Sequence, residues 1–182
     1  MKDLLLVIDM QKVYEEGEPW ACRGVGRVSQ NILRLLGSGR AQETIFTRFD
    51  AVADPVGAWA DYNREFADVN ADPRLAQIVD ALAQAAAQYP VYTKHTYSSL
   101  PIPQVAEAVA RADRVVVTGV VAECCILSTV EGLIDAGAKV VYLTDAVAGQ
   151  TAEFEQAVEK IVASFSPIHT SVMTVDDYLA GR

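Results

Sequence analysis

Cys125 is the residue of this sequence best placed for covalent chemistry. It follows residues 119–124, which join a β-branched run to a helical pattern. The first turn of a helix offers free N–H groups and the positive end of the helix dipole, and both favour the nucleophilic thiolate. The same N–H groups can hold the oxyanion of a tetrahedral intermediate. We therefore predict a cysteine nucleophile for acyl transfer, with a buried structural cysteine as the alternative.

Cys124 competes with Cys125 for this role. Consecutive residues on a helix point about 100° apart, so only one of the two thiols can face a site. A redox-active pair is a further alternative. It is disfavoured because adjacent cysteines on a helix rarely form an unstrained disulfide.

Two charged residues at the ends of predicted strands could assist a nucleophile. Asp9 follows the apolar run 4–8, and Lys94 follows the short run 91–93. A carboxylate can take the thiol proton and deliver it to a leaving amine. A cation near the sulfur stabilises the thiolate and lowers the pKa of the thiol. Taken alone, Asp9 could be a strand-end carboxylate that caps N–H groups, and Lys94 could be a surface lysine.

Strands and helices alternate along the whole chain. The apolar runs predict strands at 4–8, 43–46, 91–93, 114–120, 139–143 and 170–174. The helical patterns lie at 28–36, 75–87, 103–112, 122–136, 152–165 and 176–180, whereas 50–73, with its Asp-Pro steps, is predicted to be irregular. This alternation predicts a doubly wound α/β fold: a six-stranded parallel sheet, Rossmann-like, with helices on both faces.

The predicted sheet brings the candidate residues to one edge. Open parallel sheets bind ligands beyond the carboxyl ends of their strands. Asp9, Lys94 and the stretch 119–125 each follow or end a predicted strand, so all three should lie at that edge. Three unrelated polar residues would rarely meet at one sheet edge by chance, so their shared location favours a common catalytic role.

Length and charge narrow the class of protein and its partners. The 182 residues predict a single domain over 1–182, large enough for a core of its own. The net charge of -9 argues against nucleic acid as a partner. No apolar run reaches the roughly 20 residues of a membrane span. The three cysteines, with their odd count and adjacent pair, suit a reducing cytoplasm rather than a disulfide framework. A small-molecule substrate remains the expected partner.

Metal ions and cofactors find little support in the sequence. The only histidines are His95 and His169, and there is no Cys-x-x-Cys, so we predict no metal site. Neither a Gly-x-Gly-x-x-Gly nor a Walker pattern occurs, so we predict no cofactor. Aromatic residues between the predicted elements could instead wall a substrate pocket, although ordinary packing is the alternative. They are Trp20, Phe49, Trp59, Tyr62 and Phe66.

Three segments carry a resemblance to a known family. They are residues 7–11 (VIDMQ), 92–99 (YTKHTYSS) and 118–129 (TGVVAECCILST). In this order, and across essentially the whole chain, they resemble the three signatures of the isochorismatase-like cysteine hydrolases. Asp145 and Ala146, placed after the fifth predicted strand, also fit the pattern of that family.

The resemblance implies a catalytic triad of Asp9, Lys94 and Cys125, and it selects Cys125 over Cys124. It also implies a cis peptide between Val120 and Val121. This bond would aim the N–H of Val121, with that of Cys125, at the oxyanion. Members of the family commonly form homo-oligomers, so we expect one here.

The resemblance also bears on the reaction. Nicotinamidases of the family hold a metal with an Asp and histidines after the second strand, where this chain has Asp50 and no histidine. Isochorismatases proper need no cysteine nucleophile. The resemblance therefore implies hydrolysis of a small amide, ureido or carbamoyl compound through a thioester on Cys125. The alternative is a catalytically silent domain with the same fold that binds a small molecule or has a regulatory role.

Overall fold

A computed structural model describes residues 1–181, so Arg182, the last residue of the predicted domain, lies outside the described part. One six-stranded sheet forms its centre, with the order β3-β2-β1-β4-β5-β6 and every neighbouring pair parallel. The strands are β1 Asp3–Ile8, β2 Glu43–Phe49, β3 Val91–Lys94, β4 Arg114–Val120, β5 Val140–Ala148 and β6 Thr170–Met173. The predicted six-stranded parallel sheet is confirmed.

Helices cover both faces of the sheet. They are α1 Val25–Ser38, α2 Ala58–Glu65, α3 Ala67–Ala71, α4 Asp80–Ala86, α5 Pro103–Arg111, α6 Leu127–Asp135, α7 Ala152–Ala163 and α8 Val175–Leu179. Helices α1, α4 and α8 contribute buried residues to one apolar layer, and α5, α6 and α7 contribute to the other. The fold is therefore doubly wound, as predicted. Within residues 1–181, no helix has the length and apolar character needed to cross a lipid bilayer.

Strand β1 shows why the strands read as continuous apolar runs. All of its residues are buried. Leu4, Leu6 and Ile8 pack into the layer under α5, α6 and α7. Leu5 and Val7 point the other way, into the layer under α1, α4 and α8. Successive side chains of a strand alternate between faces, so a strand covered on both sides is apolar along most of its length. The exception is Asp3 at the start of β1, which pairs with Arg114.

The order of the strands places a crevice between β1 and β4. The chain runs outward from β1 through β2 to β3 and then returns to β4 on the other side of β1. Ligands of open α/β sheets bind at such a reversal, beyond the carboxyl ends of the two strands. Asp9 follows β1 at this crevice, and the stretch that carries Cys125 follows β4.

Gly119 lets the two strands meet closely at the crevice. It pairs with Ile8 and has a φ of 111°, in the region that favours glycine. A Cβ atom at this position would lie 2.0 Å from the carbonyl oxygen of Ile8. Any side chain here would therefore push apart the strand ends that carry Asp9 and Cys125.

Two predicted elements between β2 and β3 are wrong. Residues 50–73 are not irregular but contain α2 and α3. Trp59, Tyr62 and Phe66 follow the i, i+3, i+7 spacing of a helical face, which the flanking prolines obscured. The helix predicted over 75–87 is shorter in the structure and consists of α4 alone. Its expected first turn does not form, because the Leu75 carbonyl accepts a hydrogen bond from the Val13 N–H and the Gln77 carbonyl accepts one from the Lys12 N–H.

Strand β5 is longer than predicted, and it contains a bulge. Val117 pairs with Tyr142 and Gly119 with Val147, so residues 143–146 lie opposite the single residue Thr118. The expected end of the strand at 143 is the start of this bulge. The other elements agree with the prediction to within a few residues at their ends.

Replacing Gly119 by alanine should destabilise the fold and displace the crevice. Gly137 provides a matched control, since its φ is 78° but nothing lies within 4 Å of an added Cβ. Gly137→Ala should cost about 1–2 kcal/mol from backbone strain alone. Gly119→Ala should cost about 2 kcal/mol more, because it adds a clash with the backbone. Urea denaturation measures both, and equal losses would contradict the close approach.

Candidate active site

The three residues predicted to act together meet at the crevice. Asp9 directly follows β1, Lys94 ends β3, and Cys125 lies in the turn after β4. The Lys94 Nζ lies 2.7 Å from Asp9 Oδ2 and 3.3 Å from Cys125 Sγ. The exposed fractions of the three residues are 0%, 2% and 3% in chain order. The predicted convergence at one sheet edge is thus present, although the separate role of each residue stays a prediction.

Asp9 is held by the neighbouring strand. Its backbone has a φ of 53°, the left-handed region that Asp tolerates better than most residues. Its N–H donates to the Thr47 carbonyl at 3.1 Å, and its Oδ1 accepts from the Thr47 hydroxyl at 2.8 Å. Its Oδ2 lies 2.7 Å from the Lys94 Nζ, and the carboxylate is also within hydrogen-bonding reach of the Cys125 thiol. Because the Thr47 hydroxyl occupies Oδ1, Oδ2 is the oxygen that can accept a proton.

Lys94 is a buried cation that interacts with three groups besides Asp9. Its Nζ donates to the Thr96 carbonyl at 2.9 Å and to Cys125 Sγ, and it lies 5.5 Å from the centre of the Phe49 ring. Burial acts to lower the pKa of Lys94 most strongly, but the charge of Asp9 and the interactions with Cys125 together outweigh it and raise the pKa. Lys94 therefore remains charged at neutral pH, balanced by Asp9.

Cys125 lies in a single turn of π-helix, Ala122–Ile126, that precedes α6. The Ile126 N–H donates to the Val121 carbonyl five residues earlier, and the Cys124 N–H donates to the same oxygen. The peptide between Val120 and Val121 is cis, as the resemblance implies. The predicted helix at 122–136 thus begins with this wider turn, which directs Cys125 towards Lys94. The N–H groups of Val121 and Cys125 stay the predicted donors to an oxyanion.

The expected resting thiolate is not supported by the electrostatics of the site. Burial raises the pKa of the Cys125 thiol, the Asp9 carboxylate raises it further, and Lys94 offsets only part of this. The positive charge of Lys94 is already balanced by Asp9, so a thiolate would add an uncompensated charge to a buried site. Cys125 therefore rests as a thiol, and it needs a base when it reacts.

The aromatic residues predicted to line a pocket form one cluster beside the triad. Phe49 lies 6.2 Å from Trp20, 6.3 Å from Trp59 and 6.0 Å from Tyr62 between ring centres. Phe66 joins through Tyr62 at 4.7 Å. Because Phe49 also contacts the Lys94 ammonium, the cluster is continuous with the candidate catalytic residues.

Two further tyrosines belong to this cluster but were not predicted. Tyr97 lies 5.0 Å from Trp59, and Tyr14 lies 5.9 Å from Trp20. Both carried a signal in the sequence, since Tyr97 is three residues after Lys94 and Tyr14 five residues after Asp9. Tyr97 lies in a loop and Tyr14 in a single 3-10 turn, so no strand or helix period marks them as facing the cluster.

Other candidate residues support the fold rather than the site. Gln11 clamps the end of β2, where its Oε1 accepts from the Phe49 N–H at 2.7 Å and its Nε2 donates to the Phe49 carbonyl at 2.9 Å. His95 lies on the exposed side, with its Nδ1 2.6 Å from the Asp50 carbonyl oxygen. Asp145 lies within β5 rather than after it, and its Oδ1 accepts from the Val175 N–H of α8 at 2.8 Å.

The remaining thiols and carboxylates do not assemble a second centre. Cys22, Cys124 and Cys125 are all free. Burial raises the pKa of Cys22 to about 12, and burial with the nearby Glu123 raises the pKa of Cys124. In the described span 1–181, no group of three or more His, Cys, Asp or Glu residues could hold a metal ion.

Breaking the buried ion pair should cost far more stability than breaking an exposed one. Lys94→Met leaves a buried carboxylate and Asp9→Asn leaves a buried ammonium, so each should lose about 3–5 kcal/mol. The double variant should lose less than the sum of the two, since no charge is left unpaired. Arg64→Met is the control, because its pair with Asp61 is 75% and 76% exposed and is worth at most about 1 kcal/mol.

Urea denaturation of the four variants gives the comparison. Additive losses for Lys94→Met and Asp9→Asn would contradict direct coupling of the two charges. Losses as small as that of Arg64→Met would contradict their burial.

Comparisons with known proteins agree with this architecture. No curated protein matches the sequence. A cysteine hydrolase from Pseudomonas syringae pv. phaseolicola 1448A is similar, with 21% identity, a TM-score of 0.83 and coverage of 98% of this chain and 91% of its own. An isochorismatase family protein from Desulfovibrio vulgaris subsp. vulgaris str. Hildenborough has 20% identity and a TM-score of 0.83, and the match covers 100% of this chain and 99% of that protein. The MAR1 ribonuclease from Caenorhabditis elegans has 20% identity and a TM-score of 0.73, and the match covers 99% of this chain and 80% of that protein.

At these identities the structural matches show a shared fold. The family itself is shown by a sequence model, that of the isochorismatase domain, which matches residues 3–176. Its match includes all three segments that meet at the crevice. The chain therefore belongs to the isochorismatase-like hydrolase family, and hydrolysis is the general activity that this membership supports.

Proposed function

We propose that this protein is a cysteine-dependent hydrolase of a carbon–nitrogen bond in a small amide, ureido or carbamoyl compound. One observation carries the proposal: the Lys94 ammonium bridges Asp9 Oδ2 at 2.7 Å and Cys125 Sγ at 3.3 Å. All three groups are buried at the crevice where an open sheet binds its ligand. A nucleophile beside an oriented base is the arrangement that acyl transfer requires.

The first half of the proposed reaction forms a thioester. Asp9 Oδ2 takes the proton of the Cys125 thiol as the sulfur attacks the substrate carbonyl carbon. The negative charge moves to the carbonyl oxygen, where the N–H groups of Val121 and Cys125 hold it. Asp9 then gives its proton to the nitrogen, the C–N bond breaks, and ammonia or an amine leaves.

The second half restores the enzyme. Asp9, again a carboxylate, takes a proton from water as the water oxygen attacks the thioester carbon. The C–S bond breaks, the carboxylic or carbamic acid leaves, and the sulfur regains the proton from Asp9. Lys94 stays charged throughout and offsets the negative charge that passes between Asp9 and Cys125. The raised pKa of the resting Cys125 thiol is consistent with this order of steps, because the proton leaves the sulfur only during attack.

The surroundings of the triad favour a neutral substrate. The aromatic cluster supplies flat apolar walls, and the one cation at the triad is already balanced by Asp9. Arg48 is exposed, and its Nε donates to the Thr93 hydroxyl, whereas Arg64 forms an exposed pair with Asp61. A planar amide group between aromatic rings fits such walls.

The fold shared with the MAR1 ribonuclease does not favour RNA as a substrate here. RNA binding needs positive charge along the phosphate backbone. This chain carries a net charge of -9, and the wall beside its triad is apolar. The small-molecule proposal accounts for both features.

Exchanging each adjacent cysteine separately should distinguish the nucleophile. Release of ammonia from a panel of small neutral amides, ureas and carbamates gives the assay. Cys125→Ser should lower kcat about 1,000-fold or more for any substrate that the wild type turns over. Cys124→Ser makes the same exchange of sulfur for oxygen at the neighbouring residue, and it should leave kcat within about threefold of the wild-type value. Turnover that survives Cys125→Ser would refute the thioester route, and no turnover in the whole panel would favour a silent binding domain.

A further inference from the structure

The chain that follows Lys94 and the chain that follows Cys125 are in contact at two places. At the first place, the Lys94 Nζ lies 3.3 Å from Cys125 Sγ. At the second, Ser99, in the loop 95–102 between β3 and α5, is bound to Thr129 in the first turn of α6. The two segments that meet at the triad are therefore also held together outside it.

Thr129 makes this second contact with a buried hydroxyl. Its Oγ1 accepts a hydrogen bond from the Ser99 N–H at 3.0 Å, and its O–H donates to Ser99 Oγ at 3.4 Å. Both residues are 0% exposed. Without this acceptor the Ser99 N–H would be buried and unpaired, which is unfavourable. Because a β-branched side chain has few rotamers on a helix, the Thr129 hydroxyl also has a well-defined position relative to α6.

The chain on either side of Ser99 lies against the same helix. A Cβ atom added to Gly132, one turn after Thr129, would lie 3.4 Å from Ser98 Oγ and 3.5 Å from Leu100 Cγ. The Leu100 N–H donates to Ser98 Oγ at 3.2 Å, so the two residues are tied to each other. The loop therefore rests directly on the surface of α6, and Thr129 supplies the hydrogen bonds that fix it there.

The loop 95–102 also holds the ammonium of Lys94. The Thr96 carbonyl, three residues before Ser99, accepts a hydrogen bond from the Lys94 Nζ at 2.9 Å. On the helix side, Cys125 lies four residues before Thr129, which is about one turn. If the loop moved away from α6 at Ser99, the Lys94 Nζ would therefore move with it, away from Cys125 Sγ.

We propose that Thr129 is a positioning residue, which sets the distance between the Lys94 ammonium and the Cys125 sulfur by fixing the loop 95–102 to α6. The attraction between two charges weakens as their separation grows. In the proposed reaction, Lys94 offsets the negative charge that passes between Asp9 and Cys125, so its distance from the sulfur bears on the rate of attack. This inference rests on the function proposed above.

Competitive labelling with limiting iodoacetamide tests this role. The readout is the ratio of the labelling rates of Cys125 and Cys22, mapped by mass spectrometry. Cys22 is 5% exposed, so a general loosening of the fold would raise its rate as well. Thr129→Val replaces the hydroxyl by a methyl group, and it should lower the ratio about tenfold. Thr129→Ser keeps the hydroxyl and should keep the ratio within about twofold of the wild-type value.

A milder variant and a matched control accompany these two. Ser99→Ala removes only the bond between the two hydroxyls and should lower the ratio about threefold, which keeps the test decisive if Thr129→Val does not fold. Thr170→Val is the control: the Thr170 hydroxyl is also buried and donates to the Val162 carbonyl at 2.8 Å, but it lies on the edge strand β6. This variant should lose stability and leave the ratio unchanged.

A change of background shows whether Thr129 acts through the ion pair. In the Asp9→Asn, Lys94→Met double variant, adding Thr129→Val should leave the ratio unchanged, because the cation that Thr129 positions is absent. The thermal midpoint of each variant, followed by circular dichroism, shows that the labelled protein is folded.

The outcomes separate the role of Thr129 from the proposed function. If Cys125 of the wild type reacts faster than Cys22 but Thr129→Val and Ser99→Ala keep the wild-type ratio, only the role of Thr129 is overturned. The same holds if the ratio falls equally in Thr170→Val or in the double-variant background, since the effect would then be one of general packing. If Cys125 of the wild type reacts no faster than Cys22, the proposed function fails, and the role of Thr129 fails with it.

Discussion

The site depends on one buried ion pair, between Lys94 and Asp9. Burying either charge alone would be costly, so each requires the other, and Thr47 and Thr96 supply further polar contacts. The pair joins the end of β3 to the end of β1, two strands that are separated by β2. Its position also fixes the electrostatics of Cys125, because the sulfur meets a cation whose charge is already balanced.

This charge balance explains how Cys125 can be protonated at neutral pH and still act as a nucleophile. A preformed thiolate would be open to unwanted oxidation and alkylation. A thiol that passes its proton to Asp9 only during attack reacts only with electrophiles that reach this buried site. Burial adds to this control, since Cys125 is only 3% exposed.

Much of this architecture could be predicted from the sequence. Apolar runs located the strands, and the rule that parallel sheets bind ligands at their carboxyl ends placed Asp9, Lys94 and the stretch 119–125 together. The choice of Cys125 over Cys124 within that stretch came from the family resemblance. Helix α2 was missed because the prolines around it outweighed the spacing of Trp59, Tyr62 and Phe66. The state of Cys125 was also missed, since it depends on how Asp9 and Lys94 share charge in space, which no linear pattern records.

Competitive labelling with limiting iodoacetamide at neutral pH, mapped by mass spectrometry, tests the central claim most directly. Burial raises the pKa of Cys125 and of Cys22, but only Cys125 has Asp9 beside it as a base. The account predicts that Cys125 reacts fastest of the three cysteines. It also predicts that the Asp9→Asn, Lys94→Met double variant, which removes the base and leaves no unpaired cation to stabilise a thiolate, lowers the rate of Cys125 to that of Cys22. Fast labelling of Cys125 that persists in this double variant, or an inert Cys125 in the wild type, would contradict the account.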